Sequence, residues 1–344
     1  MEHKVDYIIV GGGFGAFFFA HQLIKNNKSF KIYSDDKRGA SRISAGIINP
    51  VVLKRFTSFE NALEHIEVLE NIFSEISAYL GETFIVDEPT WRIFHDENEK
   101  STWLKKASTE KLAPFLDTNF NSIENIINPL ECGKVNHSFR VDVPRFFEVF
   151  EKYLTQNNNL IREGFAYDQL DVQNSKYQNI KFSKIVFSEG MGVKLNPYFK
   201  EIPVLSNKGH HISVKFENYN LLHTIKKKFF LFPLNKEEYY YGGTYDPLND
   251  TPDIDNYSKD KLIEGLEEMV VEPFEITETP YAYRPTVQDR RPILGVHSKH
   301  TNLYVFNGLG TRGLLNGTNY SVLLYNFIEN NLSLPKEVDI ERFI

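Results

Sequence analysis

The chain has 344 residues, more than one ordinary hydrophobic core accommodates, so two domains are expected. With 41% hydrophobic residues, including 28 Phe and 18 Tyr, apolar area is ample and disorder is not the default. A net charge of −7 and a pI of about 5.9 argue against a nucleic-acid partner, and a single cysteine excludes an internal disulfide and suits a reducing compartment. From Tyr7 to Ala20 the N-terminus is apolar, but Asp6 and a glycine run interrupt it. It falls short of the roughly 20 residues that span a bilayer and carries no small-residue cleavage site. A soluble, cytoplasmic protein without a membrane partner is the expectation.

The first element is a strand-length run, Tyr7-Ile8-Ile9-Val10. Gly11, Gly12, Gly13, Phe14, Gly15 and Ala16 follow and fit G-x-G-x-x-G/A. A helix is expected from about Gly15 to Lys25, stopped at Asn26-Asn27, and a second strand at Phe30-Lys31-Ile32-Tyr33. Strand, glycine turn, helix and strand form the setting in which this pattern binds a dinucleotide. Gly11 permits the tight turn, Gly13 lets backbone N–H groups reach a pyrophosphate, and Ala16 lets helix and strand approach closely. The positive end of the helix then faces the phosphates.

Beyond Ser34, Asp35 and Asp36, the loop Lys37-Arg38-Gly39-Ala40-Ser41 leads to Ser44-Ala45-Gly46-Ile47-Ile48-Asn49-Pro50, a small-residue segment that a flat ligand can approach. A long helix is read from Ser58 to Tyr79 on the spacing of Ala62, Ile66, Leu69, Phe73, Ile76 and Leu80. Strands are expected at 83–86 and 91–94, a helix at 96–106, and strand-like alternation from Val135 to Val143. Asp142 caps a helix that runs through Tyr153 with Pro144 in its first turn. Lys184 to Phe187 has the continuous apolar character of a buried parallel strand and runs into a turn at Gly190. From about Ile202 to Tyr283 strands dominate (211–214, 229–232, 239–243), interrupted by a helix at 259–270. The run Lys226-Lys227-Lys228 reads as a solvated approach to one of them. A last strand, Leu303 to Phe306, precedes Asn307-Gly308-Leu309-Gly310-Thr311-Arg312-Gly313 and a helix to about Asn330. Parallel-type strands at both ends and an antiparallel block between them imply a dinucleotide domain that is discontinuous in sequence.

The acidic residue that binds a ribose hydroxyl belongs about 20 residues past the glycines. Ser34 stands there, 23 residues beyond Gly11, with Asp35 one step later. Lys37 and Arg38 keep a 2′-phosphate, and so an NADP-dependent reductase, in play. Spacing alone leaves FAD, NAD and NADP open.

The GGGFGA unit, the Ser44–Pro50 segment, Arg284-Pro285-Thr286-x-x-Asp289, Pro292-Ile293-Leu294-Gly295 and Gly308 to Gly313 resemble, in order, the FAD-dependent amine oxidases of the D-amino-acid oxidase superfamily. Glycine oxidase and the oxidase half of the bifunctional tRNA wobble-uridine enzyme share this plan. The Gly310 to Gly313 turn is most similar to the latter, so a flavin-carrying, tRNA-associated module is a rival reading. The resemblance implies an α/β fold in which a Rossmann-like FAD domain (1–80, 134–204 and 285–344) is interleaved with an antiparallel-sheet α+β substrate domain (81–133 and 205–284). It implies FAD, held without a covalent link since Cys132 lacks a flavin-linking context, and a small amine or amino acid oxidised at its C–N bond. Flavin contacts are expected from Gly11, Gly13, Phe14, Gly15, Ala16, Ser34, Asp35, Ser41, Ser44, Ala45, Gly46, Gly190, Gly308, Gly310, Thr311, Arg312 and Gly313.

Arg284 matches the position where the family pairs an arginine with an amino-acid carboxylate, a planar task suited to guanidinium; a structural ion pair is the alternative. Side chains alternate on a strand, so at least one of Tyr239, Tyr240 and Tyr241 must face the substrate, and Tyr241, before Gly242-Gly243-Thr244, is the candidate. His210 is the candidate of the His210-His211 pair; adjacent strand histidines face opposite ways, which argues against a metal. Lys54 and Arg55 are solvated charges or anion contacts.

Overall fold

A computed structural model describes residues 3–35, 39–217, 219–247, 251 and 254–343. Its first sheet is built on parallel strands from distant parts of the chain, in the order Leu160–Ile161, Phe30–Tyr33, His3–Val10, Ile180–Phe187 and Leu303–Asn307, with Ile293–Val296 antiparallel at the edge. The first strand lies at the centre, and the expected parallel strand at 184–187 is the last half of its neighbour.

Helix α1, Phe14–Lys25, packs on one face of this sheet with α2, Ala62–Leu80, α4, Val143–Gln156, and α6, Gly313–Asn330. Phenylalanine supplies much of that core: Phe14, Phe17, Phe18, Phe73, Phe146, Phe147 and Phe150 form a connected set of ring contacts. Each fully buried ring stabilises by roughly 2–3 kcal/mol. Helix α6 approaches α1 closely because it offers Gly317, where an added Cβ would lie 2.7 Å from the Phe18 ring.

The second sheet runs Phe274–Glu278, Leu205–Phe216, Glu238–Gly242, Phe230–Pro233, Thr224–Lys226, Thr90–Ile93, Cys132–Val135 and Leu116–Asn121, with Tyr281–Thr286 paired to the first half of Leu205–Phe216. It is antiparallel except where Thr224–Lys226 lies parallel to Thr90–Ile93. Helix α5, Asn256–Glu267, covers one face over Ile212, Val214, Leu231 and Tyr241. The opposite face looks into a large cavity. None of the described helices is long and apolar enough to cross a membrane.

Caps account for most boundaries. Asn26 ends α1 and Asn27 turns left-handed, as the sequence suggests. The Asp142 carboxylate accepts from the Arg145 N–H. Helix α3, Glu97–Ala107, starts one residue late because Asp96 is its cap, and α5 starts at 256 because Asp255 is. The long helix begins at 62 rather than 58, since Thr57–Ser58 is a short strand. The 135–143 alternation resolves into two strands separated by a turn with His137 left-handed.

Candidate active site

A cavity of about 1530 Å³ runs from the glycine turn to the uncovered face of the second sheet. It exceeds the 300–1,000 Å³ of an ordinary small-molecule site and suits an extended ligand plus a second small molecule.

At one end the C-terminal edge of the parallel strands meets the start of α1. Gly11 (φ +124°) presses on the next strand: an added Cβ would lie 2.1 Å from the Ser188 carbonyl oxygen. At Gly12 and Gly13 a Cβ would run into the hydroxyls of Ser34 and Ser41, at 2.2 and 2.9 Å. At Gly15 the helix start crowds the segment after the next strand: an added Cβ would lie 2.3 Å from Ser188 Oγ. The N-cap Gly13 offers no side chain, and the Phe14 N–H donates to Ser41 Oγ at 3.1 Å. This bare, electropositive helix start fits a pyrophosphate.

Ser34 and Asp35 both line this end, Ser34 buried and Asp35 exposed. Lys37 and Arg38, like Asp36, lie outside the described residues. Glu189, which the sequence reading passed over as part of a glycine turn, is here as well. Burial pushes its carboxyl up to about 6, against the pull of hydrogen bonds from Asn196 and Tyr167. Its one sequence signal is a carboxylate two residues past the apolar run Ile185-Val186-Phe187 that ends a strand.

Ser41, Ser44, Ala45 and Gly190 line the middle of the cavity. Arg42 joins them with its charge already met by Glu151, which also accepts from Arg162 at 3.1 Å. Farther along, Gly310, Thr311, Arg312 and Gly313 line the wall where a single tight turn runs into α6. The α6 N-terminus has no side-chain cap, and the Arg312 guanidinium lies 4.5 Å over the Phe59 ring.

The far end is the sheet face carrying Gly209, His211, Phe230, Tyr240 and Arg284. Arg284 crosses over bare Gly209, and its Nη1 donates to the Thr244 carbonyl at 3.0 Å. Among the described residues no carboxylate pairs with it. Burial lowers its pKa, opposed in part by the Tyr240 and Tyr245 phenols and by no carboxylate. His211 stacks on Tyr240 with ring centroids 4.3 Å apart, and burial, then Arg284, pushes it down to about 3, so it is neutral in any working buffer. His210 borders the cavity on the Tyr281 side, and both its ring nitrogens are buried without a partner among the described residues.

Four expected contacts are not on the cavity. Tyr241 points to the other face, where its hydroxyl lies 2.6 Å from a Cβ placed on Gly265 of α5; Tyr240 takes the cavity side. Ala16 is buried within α1's packing and does not line the cavity. Gly46 (φ +70°) is pressed under the Val141 carbonyl, and Gly308 (φ +71°) against Val287. Lys54 reaches the cavity and Arg55 does not.

A parallel sheet with a glycine turn, an uncapped helix start and a long cavity ending on a second sheet defines a dinucleotide-dependent enzyme of two interleaved sheets. The chain matches the model of the FAD dependent oxidoreductase family called DAO over residues 6–324, and it belongs to that family. The dinucleotide that spacing left open is therefore FAD. The fold is also that of glycine oxidase from Bacillus cereus (TM-score 0.78, 19% identity, 96% of each chain covered). Iminodiacetate oxidase from Chelativorans sp. BNC1 is similar too (0.75, 16%, 98% of each), as is L-alpha-glycerophosphate oxidase from Mycoplasma pneumoniae with FAD bound (0.66, 14%, 97% of this chain and 96% of that one).

Proposed function

We propose that this FAD-dependent oxidoreductase oxidises the C–N bond of a small amine or amino acid bound by its carboxylate. The observation that carries this is Arg284, a guanidinium held in the cavity over Gly209, with one carbonyl hydrogen bond and no acid partner among the described residues. A desolvated cation in that state gains most from a carboxylate bound through two parallel hydrogen bonds. Flavin, when bound, supplies the hydride acceptor for the carbon next to nitrogen.

The protein's part is positioning and charge. Gly11 to Gly15 and Ser41 would hold the pyrophosphate and Ser34 or Asp35 the ribose, while the Gly310 to Gly313 turn and the uncapped α6 N-terminus would stabilise negative charge on the reduced flavin. Arg312 adds to that field. Neutral His211 and the Tyr240 ring wall the substrate without a competing charge. His210 stands at the border as a hydrogen-bonding group for substrate or flavin. The first sheet with its helices forms the FAD domain (1–80, 134–204 and 285–344), and the second forms the substrate domain (81–133 and 205–284). The flavin is held non-covalently, since Cys132 is buried away from the cavity with its thiol pushed up to about 12 by burial. We place the protein in the cytoplasm, where a lone buried thiol stays reduced.

The test is anaerobic bleaching of the purified yellow protein against glycine, sarcosine, D- and L-amino acids and simple amines. At least one amino acid should bleach it, and Arg284→Met should raise the KM for that substrate about 100-fold with FAD content unchanged. Failure of every amine and amino acid would refute the reading. Reduction confined to hydroxy acids or polyols would replace it with C–O oxidation on the same fold.

A further inference from the structure

Lys226, which the sequence presents as the start of a solvated lysine run, instead lines the substrate end of the cavity. Registers across four strands align His211 with Gly242, Gly242 with Phe230 and Phe230 with Lys226, so these residues form one row on the uncovered face. The Lys226 ammonium lies 4.4 Å over the Phe230 ring and donates to the Lys228 carbonyl at 2.7 Å. Two of its three donors remain, and no carboxylate pairs with it among the described residues.

Its cationic neighbours on the same face are differently placed. Arg92 has its charge met by Glu99 and donates a second bond to the Lys227 carbonyl, leaving only its Nε without a partner among the described residues. Arg140 lies off the cavity, bonded to Thr224 Oγ1 at 3.0 Å and stacked over Phe232 at 4.4 Å. Among the described residues the carboxylates that line the cavity are Asp35, Glu189 and Glu278. Asp35 and Glu189 stand at the nucleotide end, and Glu278 is exposed. On the sheet face at the substrate end, Arg284 and Lys226 thus stand with an aromatic floor between them and no carboxylate paired with either among the described residues; Lys54 is a further cation on the cavity wall.

We infer that the substrate carries a second anionic group, a carboxylate that Lys226 binds while Arg284 holds the first, so that the enzyme acts on an amino dicarboxylate. This rests on the carboxylate-binding reading of Arg284. The Arg284 guanidinium lies over Gly209 and beside Gly243, which follows Glu238–Gly242; these strands stand three and two places from the one that carries Lys226. Two to three strand spacings are about 10 to 14 Å. An extended amino dicarboxylate of about four or five carbons, with hydrogen bonds of about 2.8 Å at each end, bridges roughly that distance. Burial and then Arg92 push the Lys226 ammonium down to about 7, so an anion beside it restores the charge that burial disfavours.

The test titrates the flavin spectrum of the FAD-loaded enzyme with non-oxidisable acids, succinate and glutarate against acetate and butyrate. It then compares turnover of aspartate, glutamate and iminodiacetate with glycine and alanine. The dicarboxylates should bind at least 10-fold tighter than the monocarboxylates. Lys226→Met should cut that preference by roughly 10- to 100-fold, and Lys226→Arg should keep it. Equal binding of both classes, or a preference that survives Lys226→Met, overturns the inference even if amino acids still bleach the flavin. If dicarboxylates bind through Lys226 but no amine or amino acid bleaches the flavin, the second anion site stands, while C–N oxidation, and with it the amino group of the inferred substrate, falls.

Discussion

A methyl group added at Gly209 would lie 2.1 Å from the Arg284 guanidinium, whereas one added at Gly11 would lie 2.1 Å from the Ser188 backbone carbonyl. The distances match, but the neighbours differ in what they can do. A guanidinium at the end of a long side chain swings aside, while a backbone carbonyl next to the end of a central strand, its residue's N–H bonded to the Val10 carbonyl, cannot. Gly209→Ala should therefore fold and keep its FAD, with KM for the carboxylate substrate raised about 10-fold or more. Gly11→Ala, which is also strained at φ +124°, should lose about 3 kcal/mol in denaturant unfolding and purify with little flavin. Flavin content and KM measured on the same preparations check both, and the argument fails if Gly209→Ala loses flavin while Gly11→Ala keeps it. At this scale the sequence was legible wherever a backbone demanded glycine and ambiguous wherever a strand chose its face. Alternation guarantees that Tyr240 and Tyr241 point oppositely. Which one meets the substrate depends on α5 covering the Tyr241 side, and no local spacing encodes that.

The last helix shows how one element joins the two ends of the chain. Glu329, near the C-terminus of α6, accepts from Tyr7 Oη at 2.5 Å in the first strand, from Lys184 at 2.7 Å in its neighbour, and from Lys28. A carboxylate is unfavourable at that end of a helix dipole, so the lysines must outweigh both dipole and burial. They do: burial pushes the carboxyl up, but the hydrogen bonds from Lys184, Lys28 and Tyr7 hold it down at about 2. A lowered folded-state pKa means stability that is fully present above the unfolded value, about 4.3, and is lost as pH falls from there through about 2. Glu329→Gln should therefore cost about 2 kcal/mol at pH 7, with the difference from the parent shrinking below about pH 4. Urea unfolding of both proteins at pH 7, 4 and 3 measures this, and a difference independent of pH would show that the carboxylate charge is not what matters. Helices of this kind were legible because apolar spacing, Asp142 with Pro144 and Asn26 mark them in the residues themselves. The parallel pairing of Thr224–Lys226 with Thr90–Ile93 was not, since the partners lie more than a hundred residues apart and neither strand carries a mark of the other. That pairing helps set Lys226 on the cavity face, which is why a lysine run looked like solvated surface.

On the scale of the whole molecule, the cavity is walled by both sheets and by segments from the beginning, middle and end of the chain: Gly11 to Gly15, Gly209 to His211 and Gly310 to Gly313. The glycine turns at the two chain ends made the interleaving readable, because each needs a backbone that only a ligand-binding edge requires. The depth of the cavity was not readable, because it arises from the second sheet leaving one broad face uncovered. A ligand that spans this cavity binds the folded arrangement of both sheets and not the unfolded chain, so it stabilises by RT ln(1 + [FAD]/Kd), about 2.7 kcal/mol at a hundredfold excess over Kd. For a chain of this length the unfolding entropy, roughly 2 cal/mol/K per residue, converts that into about 4 °C. Flavin stripped by acid and removed by gel filtration should leave a colourless protein whose Tm rises by about that amount on titration with FAD. If Gly11 to Asp35 hold the pyrophosphate and adenosine as proposed, ADP should give part of the shift and leave the second sheet unprotected. Hydrogen exchange at 226–244 separates the two ligands: FAD should slow it and ADP should not. Equal protection of 226–244 by both would mean that closure of the nucleotide end alone orders the substrate sheet, and the cavity would then act as two coupled compartments instead of one continuous groove.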